Sequence, residues 1–162
     1  MMTSVNKDTR AGFATLIGAP NAGKSTLMNA MVGQKVSIVT PKVQTTRSRI
    51  RGIAMQDEAQ IIFVDTPGIF SPKRRLDRAM VNAAWQGAAD NDVLLLLNDC
   101  ARVSLDDETK MIIAKLVQQE QAAALILNKI DLATPEQVLV RTAELSTLFS
   151  FEKVFMISAH TG

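Results

Sequence analysis

Residues 18–25 read Gly18-Ala19-Pro20-Asn21-Ala22-Gly23-Lys24-Ser25, which matches the phosphate-loop pattern G-x-x-x-x-G-K-[ST]. The motif lies between an apolar stretch at Phe13–Ile17 and a segment with helical apolar spacing at Lys24–Val32. Glycines let backbone N–H groups curl round phosphates, and the N-terminus of the following helix adds a favourable dipole. The stretch therefore predicts a nucleotide-binding α/β fold.

Several residues of this segment are candidates for contact with the nucleotide. The ammonium group of Lys24 could neutralise the β- and γ-phosphates, and the hydroxyl group of Ser25 could bind Mg²⁺. The candidate nucleotide-binding residues here are Asn21, Ala22, Gly23, Lys24, Ser25 and Thr26. The motif predicts a nucleotide but does not identify its base.

A second element, Asn128-Lys129-Ile130-Asp131, follows another apolar stretch and indicates the base. The carboxylate of Asp131 can accept hydrogen bonds from N1–H and the exocyclic amine of guanine, and adenine offers neither arrangement on that edge. A buried polar site of this kind rejects the wrong base strongly. The aliphatic stem of Lys129 can lie over the ring, and Asn128 can tie this element to the phosphate loop. The element therefore predicts a guanine nucleotide.

Three further segments are candidates for the same site. Ser158-Ala159 follows the last predicted strand and could offer a backbone N–H to guanine O6. Asp65 ends an apolar strand, where α/β sheets bind ligands, and could hold Mg²⁺ through a bridging water. Gly68, three residues later, could bring its N–H onto the γ-phosphate. Thr46 is predicted to complete the Mg²⁺ shell and to sense the γ-phosphate, with Thr45 as the alternative.

Strand and helix candidates alternate along the rest of the chain. The further strands are predicted at Arg49–Met55, Gln60–Val64, Asp92–Leu97, Ala123–Leu127 and Val154–Ile157, and the further helices at Asp77–Ala89, Ser104–Gln119 and Thr134–Leu148. Ser104 and Thr134 are the predicted N-caps of the last two helices. The pattern predicts an α/β fold with a doubly wound, mostly parallel six-stranded sheet and one antiparallel edge hairpin strand.

The bulk properties set limits on the domain organisation. The 162 residues suit one domain, and 47% hydrophobic and 21% charged residues are typical of soluble globular proteins. We expect a flexible N-terminus at 1–10 and one domain at 11–162 that stops before the final helix of the series. The longest dense apolar run, Val93–Leu97, is too short to be a transmembrane segment. A single cysteine, Cys100, excludes an internal disulfide and favours a cytoplasmic location.

Charge is distributed unevenly along the chain. The first 80 residues carry 12 Lys/Arg and 5 Asp/Glu, whereas the other 82 carry 6 and 11. Two interpretations remain open. The basic half could neutralise a polyanionic ligand, or it could also face an RNA or another phosphate-rich partner.

These elements, in this order, resemble those of translation-factor-type small GTPases. The stretches 43–47, 65–70 and 73–75 make the chain similar to the bacterial Era GTPases over residues 11–162. The resemblance implies binding and hydrolysis of GTP, with GDP as product and Mg²⁺ as cofactor. It also implies that the parent protein acts in maturation of the 30S subunit. There a C-terminal KH domain, which we expect to be absent from this chain, would bind 16S rRNA. A peripheral membrane contact of the parent protein is a further expectation.

One position departs from Ras-type GTPases, which place a water-orienting glutamine after the D-x-x-G motif. Ile69 stands there and cannot form a hydrogen bond through its side chain. Era-like families share this apolar residue, and some use K⁺ held by a phosphate-loop asparagine, the position that Asn21 matches. The resemblance thus implies slow intrinsic hydrolysis, with K⁺ as a candidate second cation. The candidate catalytic residues are Asn21, Lys24, Thr46 and Gly68.

Two alternatives stay open. The chain could be a nucleotide-dependent docking module with incidental hydrolysis, because Ile69 offers no general base. It could also be the GTP-binding domain of a Der- or MnmE-type GTPase, which share these motifs. An ATP-using phosphate-loop enzyme is opposed by the guanine-reading element at Asn128–Asp131.

Overall fold

The computed structural model describes residues 10–34, 50–66, 78, 79, 81, 82, 85, 86 and 91–162. The strands are β1 (Arg10–Gly18), β2 (Ile50–Gln56), β3 (Ala59–Asp65), β4 (Val93–Asp99), β5 (Ala124–Asn128) and β6 (Val154–Met156). The helices are α1 (Lys24–Val32), α2 (Asp107–Gln118) and α3 (Pro135–Leu148), with a 3₁₀ turn at Ile130–Leu132. Further described residues between 78 and 86 are helical, within the predicted helix Asp77–Ala89.

The strands form one sheet in the order β2-β3-β1-β4-β5-β6. Every neighbouring pair is parallel except β2 and β3, which form an antiparallel hairpin at one edge. The predicted α/β fold with its mostly parallel six-stranded sheet is therefore confirmed. β1 begins at Arg10, so that residue belongs to the sheet and residues 1–9 lie outside the described part.

Both faces of the sheet are covered, which explains why its inner strands are apolar runs rather than alternating ones. On one face α1 packs through Leu27 and Met28 against β1 and β3. On the other face α2 and α3 pack against β4 and β5, and all five residues of β5 are buried. The carboxyl ends of the parallel strands consequently meet along one edge, where α/β proteins bind ligands.

The two later helices begin with different N-caps. Thr134 forms the expected cap of α3, because its hydroxyl accepts a hydrogen bond from the backbone N of Gln137 and the Gln137 side chain accepts one from the backbone N of Thr134. The expectation for α2 was wrong, since Asp106 and not Ser104 is the cap. The Asp106 carboxylate accepts from the backbone N of Thr109 at 2.6 Å. The negative charge of a carboxylate at this position also interacts favourably with the positive end of the helix dipole.

A buried cation ties α3 to the end of β4. Arg141 is only 3% exposed. Its Nη1 donates to Asn98 Oδ1 at 2.9 Å and to the carbonyl O of Asp99 at 3.2 Å, and its Nη2 donates to the carbonyl O of Arg102 at 2.9 Å. Glu144 Oε2 lies 3.3 Å from Nε and offsets the charge. A buried ion is tolerated only with such a full set of partners, so Arg141 fixes the backbone at 98–102.

Replacing Arg141 with alanine is expected to lower the free energy of unfolding by about 2–4 kcal/mol, because the buried acceptors at 98–102 lose their donor. Urea denaturation of the nucleotide-free chain, followed by circular dichroism, measures this loss. Lys110→Ala is the control, since it removes an exposed ion pair with Asp107 and should stay within about 0.5 kcal/mol of wild type. Equal losses in the two variants would contradict the role assigned to Arg141.

Candidate nucleotide-binding site

The phosphate loop joins β1 to α1 at the ligand-binding edge, and its two motif glycines are required by close contacts. A Cβ atom on Gly18 would lie 2.6 Å from the carbonyl O of Leu97 on β4. A Cβ atom on Gly23 would collide with the side-chain amide of Asn128, and Gly23 also has φ 101°, which L side chains rarely adopt. The loop therefore reaches its curled shape only with glycine at both positions.

Lys24 is the cation at the centre of this loop. Its Nζ atom donates to the carbonyl O of Ala19 at 2.9 Å and to that of Gly18 at 3.2 Å. Burial lowers the pKa of Lys24 to about 8, and the nearby carboxylate of Asp65 offsets part of this effect. An anion bound in the loop would stabilise the charged form and raise the pKa again. Lys24 is thus placed to bind a phosphate group.

Ser25 and Asp65 form a buried pair beside Lys24. The Ser25 hydroxyl donates to Asp65 Oδ2 at 2.6 Å, which joins the first turn of α1 to the end of β3. Thr66, the next residue, donates from Oγ1 to the carbonyl O of Leu16 at 2.6 Å and holds this end of β3 against β1. A hydroxyl and a carboxylate are oxygen ligands that suit Mg²⁺.

The described residues contain no group of three or more His, Cys, Asp or Glu that could hold a metal ion. Mg²⁺ usually takes only one or two protein ligands and completes its shell with waters and substrate phosphates. The pair Ser25 and Asp65 therefore fits a magnesium ion that arrives with a nucleotide, rather than one held by protein ligands alone.

Asn128 joins three segments of the site. It ends β5 and is 1% exposed. Its Nδ2 donates to the carbonyl O of Ala22 in the phosphate loop, and its Oδ1 accepts from the backbone N of Ala159, both at 2.9 Å. The backbone N–H of Ala159 thus already has an acceptor, and the predicted contact with guanine O6 would require this bond to be shared or exchanged. Ser158 is buried and accepts from the backbone N of Thr161.

Lys129 and Asp131 follow on the same edge. Lys129 Nζ donates to the carbonyl O of Asn21 at 2.8 Å, and it also lies 2.7 Å from Asp99 Oδ2. Asp131 is in the 3₁₀ turn and its side chain is exposed, so a planar base has access to its carboxylate. The turn is held by a hydrogen bond from the backbone N of Ile130 to the carbonyl O of Ile157.

The structure brings together most of the residues that the sequence predicts for the site. Asn21, Ala22, Gly23, Lys24, Ser25, Thr26, Asp65, Asn128, Lys129, Asp131, Ser158 and Ala159 all lie at the carboxyl ends of the strands, in the loops or 3₁₀ turn that follow them, or in the first turn of α1. Thr45, Thr46, Gly68 and Ile69 lie outside the described residues, so their roles stay predictions.

Sequence reasoning missed two residues next to the base-reading element. Asp99 contacts Lys129 directly, and its position two residues after the predicted strand Asp92–Leu97 was the available signal. Cys100 donates from Sγ to the carbonyl O of Asn128 at 2.9 Å. Burial, followed by the negative charge of Asp99, raises the pKa of the Cys100 thiol. The Cys100 thiol therefore stays uncharged and donates its hydrogen bond to the backbone of the base-reading element.

Comparison with known proteins assigns the chain to a family. The family described as 50S ribosome-binding GTPase matches residues 13–129. GTPase Era of Dinoroseobacter shibae is 55% identical over 164 residues, which cover 99% of this chain and 53% of that protein. GTPase Era of Rhizobium meliloti is 52% identical over 169 residues, covering 100% of this chain and 54% of that protein. The chain thus spans about half the length of these relatives.

Two solved structures share the fold and about a third of the sequence. Era from Aquifex aeolicus, as a variant bound to GDP and aluminium fluoride, superposes with a TM-score of 0.85 at 34% identity, covering 95% of this chain and 53% of that one. Era in complex with MgGDPNP and nucleotides 1506–1542 of 16S ribosomal RNA gives 0.86 at 35% identity with the same coverage. The predicted resemblance is confirmed: the chain belongs to the 50S ribosome-binding GTPase family, as a relative of the Era GTPases.

Proposed function

We propose that this chain binds GTP and hydrolyses it to GDP and phosphate, as the nucleotide-dependent switch of an Era-type protein. One observation carries the proposal. The Asn128 amide holds the phosphate loop beside the base-reading turn, so that the Lys24 ammonium and the Asp131 carboxylate belong to one continuous site. A guanine nucleotide offers phosphates to the first group and two N–H donors to the second.

Phosphate binding would depend on charge already placed in the loop. Lys24 would exchange its carbonyl contacts for phosphate oxygens, while the N-terminus of α1 supplies backbone N–H groups. Ser25 would bind Mg²⁺ directly and Asp65 through a water. A metal ion held by these residues would supply positive charge to the β- and γ-phosphate oxygens. The Era complex with MgGDPNP supports Mg²⁺ as the ion that accompanies the nucleotide.

For hydrolysis, this chain would supply positioning and positive charge. Lys24 stabilises the leaving phosphates, and we propose that Thr46 and Gly68 position the γ-phosphate. Ile69 cannot orient water, so intrinsic hydrolysis would be slow. We propose that K⁺, with Asn21 as a ligand, supplies the charge that an arginine finger provides elsewhere. The backbone of Asn21 is already held by Lys129.

The wider role of the parent protein is proposed from its relatives. An Era structure contains a segment of 16S ribosomal RNA, which supports a role in maturation of the 30S subunit. We propose that a KH domain following the GTP-binding domain at 11–162 makes that RNA contact in the parent protein, and that the parent protein also has a peripheral membrane contact. We also propose a cytoplasmic location. None of the helices in the described residues combines the length and the apolar character that crossing a bilayer demands.

Asp131→Asn is expected to weaken GDP binding by roughly 10³-fold, because the side-chain amide cannot accept from both guanine N–H groups. The same variant should bind xanthosine diphosphate better than GDP, since the amide can donate to the extra carbonyl oxygen of xanthine. Titration with fluorescent GDP and its xanthine analogue measures both affinities. Glu136→Gln, which removes a nearby exposed carboxylate, should bind like wild type. An unchanged preference for GDP in Asp131→Asn would contradict the assignment of the base.

GDP affinity is expected to fall by about tenfold between pH 7 and pH 9 through Lys24. The free chain loses the Lys24 proton near its pKa of about 8, whereas bound phosphates retain that proton, so binding above pH 8 requires proton uptake. Calorimetric titrations across this pH range test the slope. Lys24→Met should bind GDP weakly at every pH and should not show the fall in affinity that comes from deprotonation of Lys24. Titration of guanine itself is common to both proteins and cancels in the comparison.

Single-turnover GTP hydrolysis is expected to run roughly tenfold or more faster in KCl than in equal NaCl, because K⁺ would stabilise charge in the transition state. Asn21→Gly removes the proposed ligand without strain, since Asn21 has φ 62°, where glycine is permissive. This variant should hydrolyse GTP at the slow NaCl rate in both salts. Equal rates for wild type in the two salts would rule out K⁺.

A further inference from the structure

A carboxylate outside the sequence motifs contacts the base-reading element directly. Asp99 is the last residue of β4 and pairs with Asn128 in the sheet. Its side chain is 10% exposed, and Oδ2 lies 2.7 Å from Lys129 Nζ. A charge-assisted hydrogen bond of this length, largely shielded from water, is stronger than a surface ion pair. Asp99 is thus in position to act on the nucleotide site through Lys129.

Asp99 is itself held in place by hydrogen bonds, so it is a fixed anchor for Lys129. Its Oδ1 accepts from the backbone N of Ala101 at 3.1 Å. Its carbonyl O accepts from Arg141, which also holds the neighbouring side chain of Asn98. Side chains that position a site work best when their own orientation is locked by such contacts.

Lys129 connects this anchor to the phosphate loop, because its Nζ also donates to the carbonyl O of Asn21 at 2.8 Å. We infer that Asp99 is a positioning residue for the guanine nucleotide, and this inference rests on the proposed binding of GTP. Its negative charge holds the Lys129 ammonium against the phosphate loop. The spacing between the base and phosphate halves of the site is then fixed before the nucleotide arrives.

Arg102 offers a second partner for Asp99, but its geometry is weaker. Its Nε lies 3.8 Å from Asp99 Oδ2, and the arginine side chain is also shared with Asp106 and with the carbonyl O of Pro20. At 3.8 Å the two atoms are too far apart for a hydrogen bond, so this ion pair is weaker than the contact with Lys129. The effect of Asp99 on nucleotide binding should therefore pass through Lys129.

A double-mutant cycle on the rate of GDP release tests the inference. The four proteins are wild type, Asp99→Asn, Lys129→Met and the double variant, each loaded with fluorescent GDP and Mg²⁺ and chased with unlabelled GDP in a stopped-flow instrument. Asparagine keeps the oxygen that accepts from Ala101 but has no charge. We expect Asp99→Asn to release GDP roughly tenfold faster, and to add almost nothing in the Lys129→Met background.

Two controls separate positioning from folding. Asp107→Asn makes the same chemical change on a side chain that is 96% exposed, and it should release GDP at the wild-type rate. Thermal unfolding of the nucleotide-free proteins should show Asp99→Asn close to wild type. If that variant does not fold, Asp99→Ser keeps an oxygen for Ala101 and should give the same accelerated release.

The outcomes distinguish this inference from the proposed function. A wild-type chain that bound GDP no better than ADP would overturn both. If wild type binds GDP selectively but Asp99→Asn releases it at the wild-type rate, the inference alone fails. The inference also fails if Asp99→Asn accelerates GDP release as much in the Lys129→Met background as in the wild-type background. Asp99 would then act independently of Lys129.

Discussion

The candidate site depends on the two hydrogen bonds of the Asn128 side chain. The amide donates to the phosphate loop at Ala22 and accepts from Ala159, in the segment after β6. Three segments that are far apart in sequence therefore share one buried polar group. An apolar side chain at this position would leave the buried carbonyl O of Ala22 without its donor and the partly buried N–H of Ala159 without its acceptor, and an unsatisfied buried group costs more than the bond itself contributes.

This contact also explains part of the phosphate-loop sequence. The Asn128 amide occupies the space that a Cβ atom on Gly23 would need, and the carbonyl O of Leu97 does the same at Gly18. Both obstacles come from strands on the same side of β1 in the sheet: β4 is adjacent to β1, and β5 is adjacent to β4. The motif glycines thus satisfy the packing of the sheet edge as well as the approach of a phosphate.

Features encoded by local sequence could be predicted, whereas most contacts that depend on strand order could not, the bond from Asn128 to the phosphate loop being an exception. The phosphate loop, the edge hairpin and the Thr134 cap each need only a few adjacent residues, so the sequence was sufficient for them. The predicted N-cap of α2 was wrong because Ser104 and Asp106 are both good N-cap residues, and the sequence pattern alone did not decide between them. Asp99 and Arg141 interact with partners about 30 to 40 residues away. Only the order β1-β4-β5 brings those residues together.

Cys100 has a practical consequence for experiments on this chain. It is the single cysteine in the sequence, it is buried, and its thiol donates a hydrogen bond while its raised pKa keeps it protonated. Thiol-reactive reagents attack the thiolate and need access to it. The wild-type chain should therefore give little background labelling in its folded form. Cysteines introduced elsewhere could carry spectroscopic probes while the native thiol stays in place beneath the nucleotide site.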